Sequence, residues 1–320
     1  MTKRQIVYPD ADVEALRVFT GTRRTRLESL GTLHIHEGAP PSDESFIERV
    51  KDASAVILGW KLPDTVLNSM NNTEIIAFTG IGAASLVNLP LARNKGIVVT
   101  NTPGYANNTV AEHTIALMLS LSRQVPRLDR DMRAGGWRHD LQSFDLHGKT
   151  LGLVGLGGIA ERTAQLAIAF GMRVIAWTRN PSPERAQRAG ITFEDLDTVL
   201  STSDVVSVHV ELNETTHGLI TAQKLALIPE HAYVINTARG EIVDEDALVK
   251  RLSSGKLAGA GLDVYTMEPL PNDHPFRQLE NVVVTPHSAY NTPEANVAIY
   301  DIVVDTLEAF YTGNPINVVA

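Results

Sequence analysis

The sequence predicts an α/β protein with two doubly wound parallel-sheet domains. At 320 residues the chain is too long for one ordinary compact domain, so two domains are the natural expectation. Hydrophobic residues make up 43% of the chain and charged residues 20%, a balance typical of globular proteins with sizeable cores. Short β-branched runs alternate with segments that carry charges at helical spacing, which indicates parallel strands joined by crossover helices.

The first hundred residues contain the strands of the first predicted domain. The apolar runs that predict these strands are IVY (6–8), LHIH (33–36), AVILGW (55–60), EIIAFTG (74–80) and GIVVTN (96–101). The segments between them suit crossover helices. A longer helix should follow, capped by Asn108 or Thr109, and its apolar stretch from Val110 to Leu121 predicts that most of its faces are buried.

A second series of apolar runs predicts the second domain. These runs are TLGLVG (150–155), RVIAW (173–177), VVSVHV (205–210), YVINTA (233–238), GAGLDV (259–264) and NVVVTPH (281–287). The last helix, from about Pro293 to Tyr311, has no strand of its own after it, so we assign it to the first domain. That domain is therefore discontinuous, with residues 1–103 and 290–320 around a nested domain of residues 104–289.

The composition excludes several classes of protein and site. A formal net charge of −9 argues against binding to nucleic acid or to anionic membranes, which select basic surfaces. No apolar run is long enough to span a bilayer, and the basic start MTK lacks an apolar signal core. The chain has no cysteine, which rules out disulfides and Cys-based zinc sites. We therefore expect a cytoplasmic protein without a bound metal.

The run GLGGIA at residues 155–160 has the pattern G-x-G-x-x-A between a predicted strand and a predicted helix. In a dinucleotide-binding turn, Gly155 permits the tight turn and Gly157 lets a pyrophosphate approach the backbone. A helix that begins at Gly158 and Ile159 offers unpaired N–H groups to the phosphates, and the small Ala160 allows close helix–strand packing. This context favours a dinucleotide site over an ordinary glycine turn.

The strand RVIAW should end beside the adenosine ribose of such a dinucleotide. NAD-selective sites usually place Asp or Glu there, whereas this chain has Thr178, Arg179 and Asn180. A carboxylate would repel a 2′-phosphate, but the guanidinium of Arg179 matches one, and the other two side chains can add hydrogen bonds. The sequence therefore favours NADP(H). If Arg179 is only a solvated loop charge, the cofactor is NAD(H).

Three further stretches carry a family resemblance: VINTARGEIVDEDAL (234–248), GAGLDVYTMEPLP (259–271) and VVVTPHSAYNTPEA (282–295). Together with the glycine run they resemble the D-isomer-specific 2-hydroxyacid dehydrogenase family, and the similarity extends over nearly the whole chain. It implies two Rossmann-like domains with a cleft between them, residues 1–103 plus 290–320 being the substrate-binding (catalytic) domain and residues 104–289 the dinucleotide-binding domain. It also implies a homodimer, with the 104–149 region as the contact.

The resemblance implies catalytic roles for three residues. Arg239 matches the arginine that binds and polarises the 2-oxo acid, Glu268 matches the acidic partner of the catalytic histidine, and His287 matches the general acid/base. These residue types suit the chemistry, because ketone reduction needs a hydride at carbon and a proton at oxygen. A histidine titrates near neutrality, a neighbouring carboxylate stabilises its charged form, and an arginine fits both a carboxylate and a developing negative charge.

The same resemblance implies further cofactor and substrate contacts. The residues concerned are Thr237, Ala238 and Asp263 for the cofactor, and Gly80, Ile81 and Gly82 for the substrate. Asp263 matches a residue that orients the nicotinamide carboxamide. The backbone N–H groups of the loop at residues 80–82 would receive the substrate carboxylate.

The chain departs from the family pattern at a few positions. Gly158 stands where the family often has arginine, and Ala83-Ala84-Ser85 stands where Asp-Asn is common. Tyr290 lies in a segment that is usually a run of small residues. Because these changes lie where they could shape the site, they leave the choice of substrate open.

The expected function is that of an NADPH-preferring 2-oxoacid reductase, acting reversibly as a D-2-hydroxyacid dehydrogenase. The segment RNPSPERA (179–186) is similar to the cofactor loop of glyoxylate/hydroxypyruvate reductases in the family, which favours a small 2-oxo acid such as glyoxylate or hydroxypyruvate. One alternative is a NAD-linked 3-phosphoglycerate dehydrogenase. Another is a non-catalytic, dinucleotide-sensing interaction protein.

Overall fold

A computed structural model describes residues 4–320, which form two structural units. The first unit comprises the described residues up to Tyr105 together with Asn291–Ala320, and the second unit is Ala106–Tyr290. The basic start of the chain, residues 1–3, lies outside the described residues. Over residues 4–320, no helix is both long and apolar enough to cross a membrane.

The first unit is built on a parallel sheet, to which the described residues contribute five strands. They are β1 (Gln5–Ala11), β2 (Thr32–Glu37), β3 (Ala55–Leu58), β4 (Ile75–Phe78) and β5 (Val98–Thr100). The helices between and around them are α1 (Val13–Val18), α2 (Gly21–Leu30), α3 (Asp43–Val50), α4 (Asp64–Ser69) and α5 (Leu89–Asn94). The strand order β2-β1-β3-β4-β5 reverses direction beside β1, as in a doubly wound sheet.

The second unit contains the larger sheet, with strand order β12-β11-β10-β9-β6-β7-β8. Its strands are β6 (Thr150–Val154), β7 (Arg173–Trp177), β8 (Thr192–Phe193), β9 (Val205–Val208), β10 (Tyr233–Asn236), β11 (Gly259–Leu262) and β12 (Val282–Val284). Its helices are α6 (Asn107–Ser122), α7 (Val125–Arg133), α8 (Gly158–Ala169), α9 (Pro183–Ala189), α10 (Leu196–Thr202), α11 (Ala222–Leu225) and α12 (Glu245–Ser253). The final helix, α13 (Pro293–Tyr311), belongs to the first unit.

Both sheets confirm the predicted fold class, and the strand ends differ from the predicted runs in an informative way. β3 stops at Leu58, although the apolar run predicted a strand as far as Trp60. The backbone N–H groups of Gly59 and Trp60 donate to the carboxylate of Asp10 at 2.9 to 3.2 Å instead of continuing the ladder. The two-residue strand β8 was not predicted, because two residues carry no periodic signal.

The final helix packs on the first sheet, as predicted. Ile299, Val303 and Leu307 are buried in one core with residues of β1, β3 and β4. On the outer side of the helix, the Arg23 guanidinium forms two hydrogen bonds with the Asp301 carboxylate at 2.5 and 2.9 Å. Apolar burial therefore fixes the position of α13, and ion pairs to α2 line its edge.

The long helix α6 lies against the second sheet, and its predicted cap was wrong. The residue that caps it is Ala106, which has no side-chain capping bond, and the helix begins at Asn107. Asn108 lies inside the first turn, where its side-chain amide donates to Glu112 at 2.5 Å. The helix packs tightly, since a Cβ at Gly261 of β11 would lie 3.0 Å from the Cβ of Leu117. Burial against the sheet, rather than capping, therefore stabilises this helix.

Candidate active site

The glycine run forms a turn at the carboxyl end of β6, next to the point where the strand order reverses between β6 and β9. Gly155 has φ +105°, and a Cβ there would lie 2.8 Å from Val210 and 2.9 Å from the backbone of His209. At Gly157 a Cβ would meet no atom within 4 Å, so the backbone faces open space. The turn thus has the form of a phosphate cradle, which fits a dinucleotide.

The first turn of α8 completes this cradle. Gly158 and Ile159 begin the helix, so their backbone N–H groups have no carbonyl within the helix to bond. Ala160 is fully buried, in agreement with its expected packing role. A Cβ at Gly158 would lie 2.3 Å from the side-chain nitrogen of Asn107, so the amide of Asn107 fills the space beside this helix start. Sequence reasoning did not identify Asn107.

The end of β7 carries the predicted ribose-binding residues. Thr178 is half-buried, and Arg179 and Asn180 are exposed. The Arg179 guanidinium donates to the hydroxyl of Thr215, which lies in the loop after β9. A guanidinium therefore lies in the loop after β7, and its contact with a 2′-phosphate stays a prediction.

Arg185 links this loop to the glycine turn, a role that sequence reasoning missed. Its guanidinium donates to the carbonyl oxygen of Asn180 at 3.0 Å and to that of Leu156. Leu156 lies inside the glycine turn, so one side chain of α9 braces two parts of the cofactor region. The only sequence signal was a basic residue inside the segment RNPSPERA.

Three neighbouring strands position the predicted catalytic residues. β10, β11 and β12 pair in parallel, with Asn236 opposite Leu262 and Leu262 opposite Val284. Arg239 follows β10, Glu268 follows β11 and His287 follows β12. Because the carboxyl ends of parallel strands share one edge, the three side chains come to the same edge of the second sheet.

His287 and Glu268 form a close pair. The imidazole Nδ1 lies 2.6 Å from Oε2 of Glu268, and the two side chains are 36% and 34% exposed, so the pair is open to a ligand. Burial alone would raise the pKa of Glu268. The hydrogen bond from His287, the backbone N–H of Tyr265 and the charges of His287 and Arg239 outweigh burial and lower that pKa below its ordinary value. Glu268 is therefore an anion at neutral pH and bonds to Nδ1 of His287, so proton exchange at Nε2 of that ring stays a prediction.

The backbone at His287 is strained. Its φ is +50°, in the left-handed region that residues with side chains rarely adopt. The His287 N–H donates to the carbonyl oxygen of Asp263 at 2.7 Å. The carboxylate of Asp263 accepts from the next two backbone N–H groups, those of Ser288 at 3.0 Å and Ala289 at 2.9 Å. Strain that is held by such bonds is characteristic of functional positions.

The loop of Arg239 is held by Asn236, which sequence reasoning also missed. The Asn236 amide donates to the Arg239 carbonyl oxygen at 2.9 Å, and its Oδ1 accepts from the N–H of Ala238 at 3.0 Å. The next residue, Gly240, packs directly on the backbone of Tyr265. The loops of Arg239 and Glu268 therefore contact each other, and the charge of Arg239 contributes to the lowered pKa of Glu268.

The remaining predicted cofactor residues of the second unit lie beside this edge. Asp263 is fully buried, and besides the two backbone groups it accepts the hydroxyl of Thr285 at 2.5 Å. Thr237 and Ala238 are half-buried in the loop before Arg239. The carboxylate of Asp263 thus bonds to groups of the protein on both sides of His287. Its contact with a nicotinamide carboxamide stays a prediction.

The predicted carboxylate-binding loop belongs to the first unit. Gly80, Ile81 and Gly82 follow β4, and the loop is anchored through its carbonyls, since Gly80 accepts from the Thr102 N–H and Ile81 from the Asn101 amide, both at 2.9 Å. A Cβ at Gly80 would lie 2.7 Å from the ring of Phe78, so a larger residue there would have to displace that ring. Its role toward a substrate stays a prediction.

Comparison with known proteins gives a consistent result. Residues 115–289 match a family model described as D-isomer specific 2-hydroxyacid dehydrogenase, NAD binding domain. The chain is 37% identical over 289 residues to a glyoxylate reductase of Korarchaeum cryptofilum, covering 88% of this chain and 87% of the relative. It is 37% identical over 279 residues to a D-3-phosphoglycerate dehydrogenase of Archaeoglobus fulgidus, covering 86% of this chain and 53% of that relative.

The structural likeness extends over the whole chain. A solved structure of an NADPH-dependent glyoxylate/hydroxypyruvate reductase from Sinorhizobium meliloti, in complex with NADP and malonate, has a TM-score of 0.86 and 31% identity. The alignment covers 100% of this chain and 97% of that chain.

Proposed function

The chain belongs to the D-isomer-specific 2-hydroxyacid dehydrogenase family, and we propose that it is an NADPH-preferring reductase of small 2-oxo acids such as glyoxylate or hydroxypyruvate, acting reversibly as a D-2-hydroxyacid dehydrogenase. The observation that carries this proposal is the 2.6 Å pair of His287 and Glu268, with Arg239 on the neighbouring loop of the same sheet edge. That edge belongs to the sheet whose first turn has the dinucleotide cradle.

The proposed residues divide the chemistry between them. Reduced nicotinamide, when bound, supplies a hydride to the carbonyl carbon. His287 holds the proton that goes to the carbonyl oxygen, and the anionic Glu268 stabilises the charged imidazole before transfer. Arg239 binds the substrate carboxylate and stabilises the negative charge that develops on the carbonyl oxygen. In the oxidative direction His287 accepts the proton instead.

The NADPH preference rests on the end of β7. Arg179 offers a guanidinium there, and residues 178–180 include no carboxylate to repel a 2′-phosphate. Arg185 stabilises the loop that carries these residues. The S. meliloti relative is NADPH-dependent, and it shares the fold at 31% identity. The N–H groups of Gly158 and Ile159 would bind the pyrophosphate of either nucleotide.

A turnover assay tests the proposal. Oxidation of NADPH and NADH is followed with glyoxylate, hydroxypyruvate and larger 2-oxo acids. We expect turnover on a small 2-oxo acid and a decrease in kcat of about 10²- to 10⁴-fold in His287→Ala, the usual share of acid–base catalysis. The exposed His34→Ala is the control and should keep its activity. Near-normal kcat in His287→Ala would remove this histidine from the mechanism.

The same assay separates the alternatives. The A. fulgidus relative favours a phosphorylated substrate as the second candidate, so 3-phosphoglycerate with NAD belongs in the panel. Turnover on that substrate alone would replace the proposed 2-oxo acids. Binding of a nucleotide without turnover on any substrate would favour a dinucleotide-sensing protein.

We further propose that two copies of the chain associate through α7. Val125 and Met132 are 56% and 52% exposed, and with Leu128 they share one face of this helix, none of whose residues is buried. Trp137, a few residues further on, is 80% exposed. An apolar face of this kind is typical of an interaction surface, and the family resemblance implies that its occupant is a second copy.

A further inference from the structure

Two consecutive residues of α6 contact the loops of two catalytic residues. Nε2 of His113 lies 3.0 Å from the hydroxyl of Thr285, which precedes His287 by two residues. The hydroxyl of Thr114 lies 3.1 Å from that of Thr237, which precedes Arg239 by two residues. A single turn of one helix therefore bonds to both loops.

The direction of the first bond follows from proton counting. The Thr285 hydroxyl lies 2.5 Å from the Asp263 carboxylate, which can only accept, so the single hydroxyl proton is donated there. Thr285 must then accept from His113, whose Nε2 carries the hydrogen. The chain of donors therefore runs from His113 through Thr285 to Asp263.

The second bond has the same logic. The Thr114 hydroxyl donates to the carbonyl oxygen of Val110 at 2.8 Å, within its own helix. Its oxygen is therefore the acceptor for the hydroxyl of Thr237. Thr114 is fully buried, so water does not reach its hydroxyl to take the place of the Thr237 hydroxyl.

Asp263 connects the first chain of bonds to the strained histidine. Its buried carboxylate accepts from Thr285, Ser288 and Ala289, which lie on both sides of His287. Nε2 of His113 is also 3.6 Å from Oδ1 of Asp263, so the histidine adds to the polar surroundings of this buried anion. A buried carboxylate needs all of these partners, because each missing one leaves charge uncompensated.

We propose that His113, acting through Thr285 and Asp263, is a positioning residue for His287. Its Nε2 hydrogen fixes the Thr285 hydroxyl, and the resulting carboxylate geometry holds residues 285–289 in the conformation that presents His287 to Glu268. His113 has no bond to His287 itself among the described residues, so its effect on catalysis is indirect. The inference rests on the proposed function for the role of His287, and on geometry alone for the support of its loop.

The test uses variants that remove or keep the donor. His113→Leu and the nearly isosteric Thr285→Val each interrupt the series of hydrogen bonds from His113 through Thr285 to Asp263. His113→Gln keeps an N–H near the position of Nε2, and Thr285→Ser keeps the hydroxyl. Glu112→Gln, at an exposed neighbouring position of α6, is the matched control.

We expect kcat to fall about 10- to 100-fold in His113→Leu and in Thr285→Val, because a displacement near 1 Å at a reacting group has effects of that order. The Kd of NADPH should change less than kcat does, since neither variant alters the glycine turn and only the predicted nicotinamide contact of Asp263 is disturbed. His113→Gln and Thr285→Ser should recover most of the loss. The double variant His113→Leu/Thr285→Val should be no slower than either single variant, because both substitutions interrupt the same series of hydrogen bonds.

A second readout does not depend on turnover. Proton NMR of protein with ¹⁵N-labelled histidine reports the hydrogen on Nδ1 of His287 that bonds to Glu268. We expect this resonance to shift or broaden in His113→Leu and Thr285→Val and to match the wild type in Glu112→Gln. If the wild type lacks turnover on every substrate, the proposed function fails while this measurement still decides the positioning role.

The inference is overturned if folded His113→Leu keeps both its kcat and the His287 resonance and loses only thermal stability. If His113→Leu does not fold, Thr285→Val decides the question by the same two readouts. Additive losses in the double variant would also contradict a single chain from His113 to His287.

Discussion

Replacement of Gly240 by alanine tests whether the loops of Arg239 and Glu268 must touch. A Cβ built at Gly240 would lie 2.1 Å from the carbonyl carbon of Tyr265, 2.3 Å from the nitrogen of Thr266 and 2.5 Å from the carbonyl oxygen of Tyr265. All three atoms belong to the backbone, so no side-chain rotation can relieve the clash. The two loops have to move apart.

The distances set the size of the effect. Ordinary contacts between carbon atoms are about 3.5–4.0 Å, so the loops must separate by more than about 1 Å. Overpacking of this kind usually costs about 1–3 kcal/mol. For a folding unit the size of the second one, each kcal/mol corresponds to about 2–4 °C in Tm. Displacing Arg239 from Glu268 by about 1 Å should lower kcat/KM about 100-fold.

Thermal unfolding and steady-state kinetics measured on the same preparation check both effects. Gly255→Ala is the control: it has φ +73° and open space around its Cβ position, so it should lose stability through backbone strain and keep its activity. The reasoning is refuted if Gly240→Ala keeps wild-type kcat/KM. It is also refuted if Gly255→Ala loses as much activity as Gly240→Ala.

Three further predictions concern the cofactor, the pH dependence of stability and the association of subunits. Arg179→Ala should reduce the preference for NADPH over NADH about 10- to 100-fold, which corresponds to the free energy of one hydrogen bond to a charged group. An unchanged ratio of the kcat/KM values for the two nucleotides would exclude Arg179 from 2′-phosphate binding. Burial lowers the pKa of His209 to about 4, so between pH 6.5 and 4 the unfolded chain binds more protons than the folded chain. The free energy of unfolding should therefore decrease by up to about 3 kcal/mol as the pH is lowered through this range. Urea titrations of His209→Gln should show a flatter pH dependence than the wild type, and an equally steep one would contradict this account. Met132→Asp should shift the protein from dimer to monomer in sedimentation velocity, whereas the exposed His34→Ala, outside the 104–149 region, should not; a wild-type monomer would reject α7 as the contact.

Periodic features of the fold were predictable from the sequence. Each predicted strand overlaps an observed one, although most of the predicted runs extend past it, and the helix predicted from about Pro293 to Tyr311 has those bounds. Prediction failed at element ends, as at Gly59 and at the start of α6, because distant groups decide them. Gly59 leaves its strand for the carboxylate of Asp10, which comes from another strand.

The sequence predicted which residues form the candidate site, but it did not predict the hydrogen bonds that hold their loops in place. Motif resemblance named Arg239, Glu268 and His287, and the structure brings them to one edge of the second sheet. Their supports, such as Asn236 and His113, were not named. Asn236 ends an apolar strand and His113 lies within an apolar helix, and neither position carries a local motif.

The sequence by itself determined the alternation of strands and helices, the glycine turn and the types of residue available for proton transfer. These features are encoded over short stretches of chain, where apolar spacing and backbone freedom act locally. Only the tertiary structure decided which polar groups meet: His113 with Thr285, Asp263 with the backbone around His287, and Gly240 with Tyr265. Such contacts join residues far apart in the chain, and their geometry exists only once the sheet has brought its strand ends together.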